Sequence, residues 1–174
     1  METMIDDIRI YGDPVLRKVA EEITEFGEET QELSDRLIDS MFSNDKGIGL
    51  AAPQIGILKR MFVIDLSFGE EVDDILVMVN PEIVETEDEI AFEEGCLSVP
   101  EIYEMVTRPK WIKVKYQDVE GNELELENED FLARVIQHEL DHLDGILFID
   151  HLGSLKRTLL TKKLRTLAKE SRKA

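Results

Sequence analysis

The sequence predicts an α+β fold in which antiparallel strands pack around a central helix carrying an H-E-x-x-H pattern, with a further helix at the C-terminal end. Three observations predict it. Apolar residues recur at helical spacing over residues 28–44 and again over 129–144. Segments with β-like character fill most of 57–128 between them. The stretch 154–174 then returns to a helical pattern of opposite charge. Helix, a run of strands, helix and helix is the order of an α+β domain.

Taken in order, Asp13-Pro14 in "YGDPVLRKVA" reads as a turn that opens a short helix. Leu33, Leu37, Ile38, Met41 and Phe42 give one apolar helical face over 28–44, and "SNDKGIG" breaks it. The strand segments are "RMFVIDL", "ILVMVNP", "EIVETED", "WIKVKYQD" and "ELELEN"; the last two flank "VEGN", a hairpin connection. Over 129–144 the stripe is Phe131, Val135, Ile136, Leu140 and Leu143, with Asn128 as a cap and Gly145 as the stop. Gly153-Ser154 interrupts the pattern once more, and Ser154 is placed to cap the last helix. We therefore expect one catalytic domain over 1–153 and a basic helix over 154–174, packed on it or extending from it.

Composition narrows the function classes. A chain of 174 residues forms one domain with a sizeable core. It has no apolar run near the roughly 18 residues of a membrane span, so no membrane partner is expected. The start, "METMIDDIRI", has neither a signal-peptide nor a transit-peptide pattern, and the single cysteine, Cys96, excludes an internal disulfide and favours a reducing compartment. A cytoplasmic location is the expectation. The net charge of −19 is uneven: 154–174 carries eight Lys/Arg against Glu170 alone, a net +7, which leaves −26 on the remainder. The acidic body repels DNA, while the tail either attracts phosphates or is a solvated amphipathic helix.

The chemistry starts at "QHELDHLDGILF". His138 and His142 lie one helical turn apart and project from one face, which lets both reach a single ion. Glu139 points about 100° round the helix, close enough to act on a metal-bound water without being a ligand. A third ligand is needed. The metzincin continuation would require histidine where this chain has Phe148, and a phenyl ring cannot coordinate. The only glutamate beyond His142 is Glu170, in the basic tail. His151, Asp144 and Asp150 have no helical spacing that faces the two histidines. Cys96 in "EEGCLSVP" remains: it follows a glycine, lies in the β region, and completes a Cys-His-His set with one open position.

Three segments, "GIGLAAPQ" (47–54), "EGCLS" (94–98) and "QHELDH" (137–142), occur in the order found in peptide deformylases, and the chain resembles that family over almost its whole length. The resemblance implies hydrolysis of the N-formyl group from N-formylmethionyl peptides, with release of formate. It implies Cys96, His138 and His142 as metal ligands, Glu139 as general acid and base, and the Gln54 amide and Leu97 N–H as donors to the developing oxyanion. Gly47, Ile48, Gly49 and Leu50 are expected along the substrate peptide. Ile48, Phe92, Phe131 and Val135 are the candidates for the methionine pocket, and Glu94 and Gly95 are also placed at the substrate. Gln137 and Glu94 are candidates to orient ligands or strand ends, with Arg108 as a partner for Glu94. The implied metal is ferrous iron, Fe(2+); Zn(2+), Ni(2+) and Co(2+) also suit the donor set. The basic tail resembles the helix by which some members approach the ribosome. The rivals are a metal-dependent peptidase using the same helix and a non-catalytic, metal-stabilised binding module. No role follows for His151.

Overall fold

Both helices form where the spacing puts them, but Phe42 and Phe131, members of the predicted stripes at a helix end, are exposed and not packed in the core. In the computed structural model, which describes residues 3–45, 47–67, 69–70 and 74–173, helix α1 spans Glu28–Phe42 and buries Leu33, Leu37 and Met41. Helix α2 spans Phe131–Leu143 and buries Ala133, Val135, Ile136 and Leu143. Helix α3 spans Ser154–Lys173. Lys46, in the predicted break, and Ala174, the last residue of the basic tail, lie outside the described residues.

The strands β1 (Gly49–Ala51), β2 (Met61–Ile64), β3 (Leu76–Cys96), β4 (Val99–Gln117) and β5 (Glu123–Asn128) form one antiparallel sheet in sequence order. Two features differ from the sequence reading. The segment "GIGLAAPQ" is not only a turn: it contains β1, an edge strand, and then a 3-10 turn, Ala52–Ile55. Also, "ILVMVNP" and "EIVETED" are parts of one long strand. That strand survives Pro81 because the register shifts between Val79 and Glu82, and Asn80 adopts a left-handed conformation with φ 49°. A bulge is where a strand tolerates a residue without an N–H. The arm is laced by opposite charges directly across the strands, Glu82 with Lys115 and Glu85 with Lys113.

Three packed clusters position the site. One face of α2 lies on the sheet, with Ile136 and Leu143 against Phe62, Ile64, Met78, Ile112 and Val114. Each such side chain contributes about 1.5–3 kcal/mol on burial. Helix α1 covers β1 and β2 through Leu37, Met41, Leu50 and Met61. Leu160 and Leu167 of α3 pack with Val99, Phe148 and Leu152. At Gly12 (φ 106°) a Cβ would lie 2.6 Å from Ala168 Cα, so α3 sits directly on the turn before the Pro14–Arg17 3-10 turn.

The ends of α2 follow the sequence reading in substance. Asn128 Oδ1 accepts from Ala133 N at 3.0 Å, sharing this first-turn amide with Asp130 O, although Asp130 holds the N-cap position. Gly145 has φ 75°, as a helix stop requires. No helix among the described residues is long and apolar enough to cross a membrane.

Candidate metal centre

The α2 helix carries His138 and His142 one turn apart, with ring centroids 5.1 Å apart and planes crossing at 75°. Strand β3 delivers Cys96 as its last residue, before a tight turn at Leu97 and Ser98. Next to it the register shifts, so that residues 100–103 of β4 stand opposite Gly95 alone. Gly95 allows this crowding, because a Cβ there would meet the Tyr103 ring at 2.6 Å. One ligand atom from each of Cys96, His138 and His142 falls within 4.8 Å of the others, and Cys96 Sγ lies 3.3 Å from His142 Nε2. Two donors sharing one tetrahedral ion keep about that separation, given bond lengths of roughly 2.3 Å to sulfur and 2.0 Å to nitrogen.

A buried ionic cluster stands behind His138. Its Nδ1 lies 2.9 Å from Glu94 Oε1. Arg108 donates to both Glu94 oxygens, at 2.6 and 2.9 Å, and Arg134 donates to Oε2. Arg108 also donates to Asp141 Oδ2 at 2.8 Å. Burial alone would raise the Glu94 pKa, but the hydrogen bonds from His138 and Arg108 prevail and hold it down at about 2. A carboxylate at Nδ1 fixes the tautomer that leaves Nε2 free to bind a cation. Burial also works against a charged His138, yet its contacts with Cys96 and Glu94 hold its pKa well above the ordinary value. Burial and the neighbouring positive groups push His142 well below it.

Glu139 follows His138 and faces the same cleft. Burial pushes its pKa up to about 7, and Oε2 has no protein hydrogen-bond partner. A buried oxygen in that condition is costly unless something else binds it. Gly49 of β1 leaves room for this carboxylate, since a Cβ there would lie 3.0 Å from Glu139 Oε1. Gln54 is held in one orientation: Oε1 accepts from Ala51 N at 2.9 Å, so Nε2 points to Ser98 Oγ at 3.0 Å and toward Cys96 Sγ at 3.6 Å. The sulfur and imidazole donor set, the orphaned Glu139 oxygen and the fixed Nε2 of Gln54 all fit a cation-centred hydrolytic site.

A cleft of about 540 Å³ opens over these groups, a volume suited to part of a peptide. Gly47, Ile48, Gly49, Gln54, Glu94, Gly95, Cys96, Leu97, Phe131, Val135, His138 and Glu139 line it, together with Tyr103 and Arg134. Two predicted substrate residues stand elsewhere. Leu50 is fully buried under α1 and does not reach the cleft. Phe92 lies outside the lining, half-exposed against Phe131 at 5.7 Å. Glu94 reaches the cleft, but both its oxygens are taken by protein donors, which turns it toward His138. Gln137 bonds Pro109 O at 3.0 Å and so ties helix to strand.

The sequence reading missed Arg134, Asp141 and Ser98. Arg134 also donates to Val106 O and Ile90 O, joining α2 to both arms of the hairpin. A buried arginine in the apolar run "FLARVI" was the available signal. Phe148, rejected as a ligand, stacks on the His138 ring with centroids 6.1 Å apart.

Residues 5–158 match the family described as Polypeptide deformylase. A peptide deformylase of Acidobacterium capsulatum is 49% identical over 164 residues, covering 94% of this chain and 96% of that protein. The crystal structure of the peptide deformylase from Thermus thermophilus superposes with a TM-score of 0.87 at 43% identity, covering 98% of this chain and 99% of that one. The Synechococcus elongatus enzyme, solved in complex with actinonin, gives a TM-score of 0.86 at 39% identity, with 94% and 90% covered.

Proposed function

Because the chain belongs to the polypeptide deformylase family, metalloenzymes that remove the N-formyl group from nascent polypeptides, we propose that Cys96, His138 and His142 hold its cation and that Glu139 moves the proton. The observation that carries this reading is the convergence of the three ligand atoms within 4.8 Å in a cleft that Glu139 also lines. A bound cation supplies Lewis acidity, which makes water a stronger acid and polarises the formyl carbonyl. We take the ion to be ferrous iron; zinc, nickel and cobalt suit the same donors.

The chain's own residues account for the rest of the reaction. Glu139, with a pKa near 7, is matched to accept a proton from the attacking water at neutral pH. As the new C–O bond forms, the carbonyl oxygen becomes an anion, and the Gln54 amide and Leu97 N–H donate to it. Glu139 then returns the proton to the amine as the C–N bond breaks, and formate leaves. The peptide runs past Gly47, Ile48 and Gly49, which line the cleft where β1 begins, and backbone contacts there ignore side-chain identity. Ile48, Phe131 and Val135 receive the methionine, with Phe92 at the rim.

Formyl-Met-Ala-Ser is the substrate that tests this assignment. We expect stoichiometric formate and no internal cleavage, loss of turnover on chelation, and its return with Fe(2+) added anaerobically. Metal analysis of anaerobically prepared protein should find iron. Internal cuts would instead support a peptidase, and full activity after chelation would remove the metal from the mechanism.

Helix α3 is a second part of the proposal, as a surface for ribosomal RNA phosphates. Lys162, Lys163 and Arg165 are exposed, while Leu160 and Leu167 are buried. Deleting the helix would therefore uncover core, and charge substitution is the cleaner test. Lys162→Glu with Lys163→Glu should weaken ribosome binding and flatten its salt dependence, by roughly one unit of log–log slope for each phosphate no longer neutralised. Formate release from short peptides should not change.

A further inference from the structure

His151 takes no part in the deformylation chemistry, yet it closes a continuous chain of contacts that ends on the metal helix. Its Nε2 lies 2.8 Å from Asp141 Oδ2, and the same oxygen accepts from Arg108 Nη1 at 2.8 Å. Arg108 grips Glu94 through both carboxylate oxygens, and Glu94 Oε1 meets His138 Nδ1 at 2.9 Å. His151 also ends the 3-10 turn Phe148–His151, whose first residue lays its ring on the His138 ring. The same turn is held at its other side by Arg17, which bonds Asp150 at 2.6 and 3.2 Å.

The turn therefore touches His138 twice, directly through Phe148 and indirectly through His151. Resting on the reading of Cys96, His138 and His142 as ligands, we propose that His151 is a positioning residue for this centre. It fastens the Phe148–His151 turn to Asp141 on α2, and so holds the Phe148 ring and the Arg108–Glu94 pair in place around His138. Asp141 lies between the two histidines in sequence, and two donors, the Arg108 guanidinium and the His151 ring N–H, converge on one of its oxygens. Removing one lets the carboxylate swing, and Arg108 with it. The His138 ring then loses the fixed orientation that keeps Nε2 aimed at the cation. Asp141 is an acceptor here, so the requirement on residue 151 is an N–H of the right reach. Glutamine can meet it and leucine cannot.

The test uses the full chain loaded with zinc, transferred to excess chelator at neutral pH, with zinc release followed over time. His151→Leu should release zinc about three- to tenfold faster than the parent, less than the 10–100-fold typical of a group bonded to the ligand itself. His151→Gln should stay within about twofold of the parent, because it restores the donor. The thermal midpoints of the metal-free proteins should agree, since His151 is one-third exposed and fills no core. On formyl-Met-Ala-Ser, the leucine variant should lose kcat with KM unchanged. Equal release from parent and leucine variant would overturn the proposal. So would equal acceleration in the leucine and glutamine variants, or a matching loss of midpoint in the metal-free leucine protein. A parent that takes up no zinc would overturn the ligand assignment itself, a different result from any of these.

Discussion

Glu139→Gln should leave one metal per chain and lower deformylation by about 10²–10⁴-fold, the range for losing a general acid and base. The two substitutions Glu139→Gln and Cys96→Ala then separate. Glutamine keeps the shape of Glu139 but cannot take a proton, and Glu139 is not among the three clustered residues proposed as ligands. Alanine at Cys96 removes the only sulfur donor and should lose metal and turnover together. Glutamine also costs the fold little. Burial pushes the Glu139 pKa to about 7, so the ionised form is unfavourable in the native state, and an uncharged amide avoids that. Its thermal midpoint should be no lower than the parent's. Metal analysis, formate release and a melting curve on each variant check all three statements. Equal loss of metal in both would make Glu139 a structural residue and leave the reaction without a base.

The helix that carries two of the three proposed ligands was legible because its signals are local. His138, Glu139 and His142 fall within five residues, and the apolar stripe that orients them spans one helix. Cys96 was reachable by elimination, since few other residues could coordinate. What stayed hidden has a physical cause in each instance. Strand β1 is three residues long and buried throughout, so it shows no alternation to read. The hairpin of β3 and β4 runs through Pro81, and the bulge that makes this possible depends on Asn80 bonding Ile23 and Gln117, partners 57 and 37 residues away. Of the ionic cluster only the Glu94–Arg108 pair was expected; Arg134 and Asp141 join it from the helix, and no spacing rule links them to the two strands. Leu50 was expected at the substrate because it lies in "GIGLAAPQ", but the two-residue period of β1 turns its side chain under α1.

The cluster also sets the largest stability effect. Glu94→Gln should destabilise the fold by about 3–5 kcal/mol, the cost of breaking a buried ion pair by removing one partner. Arg108 would keep only Asp141 as a carboxylate partner and Arg134 would have none, and the new amide would turn an N–H toward donors that need an acceptor. The pH dependence should change in the same variant. The Glu94 pKa is about 2 in the folded chain against 4.5 as the ordinary value, so the unfolded chain binds a proton first as acid is added. The contribution of this carboxylate is complete above about pH 4.5, and it disappears as pH falls from there through 2. The shift corresponds to about 3 kcal/mol, similar to the cost expected from the broken pair. Urea unfolding of the metal-free protein should therefore show a lower midpoint for Glu94→Gln at pH 7, with the parent and variant curves converging toward pH 2–3. Curves that stay parallel across that window would mean the cluster is held by the Arg134 bonds to Val106 O and Ile90 O and by the Arg108–Asp141 pair instead of by the Glu94 charge.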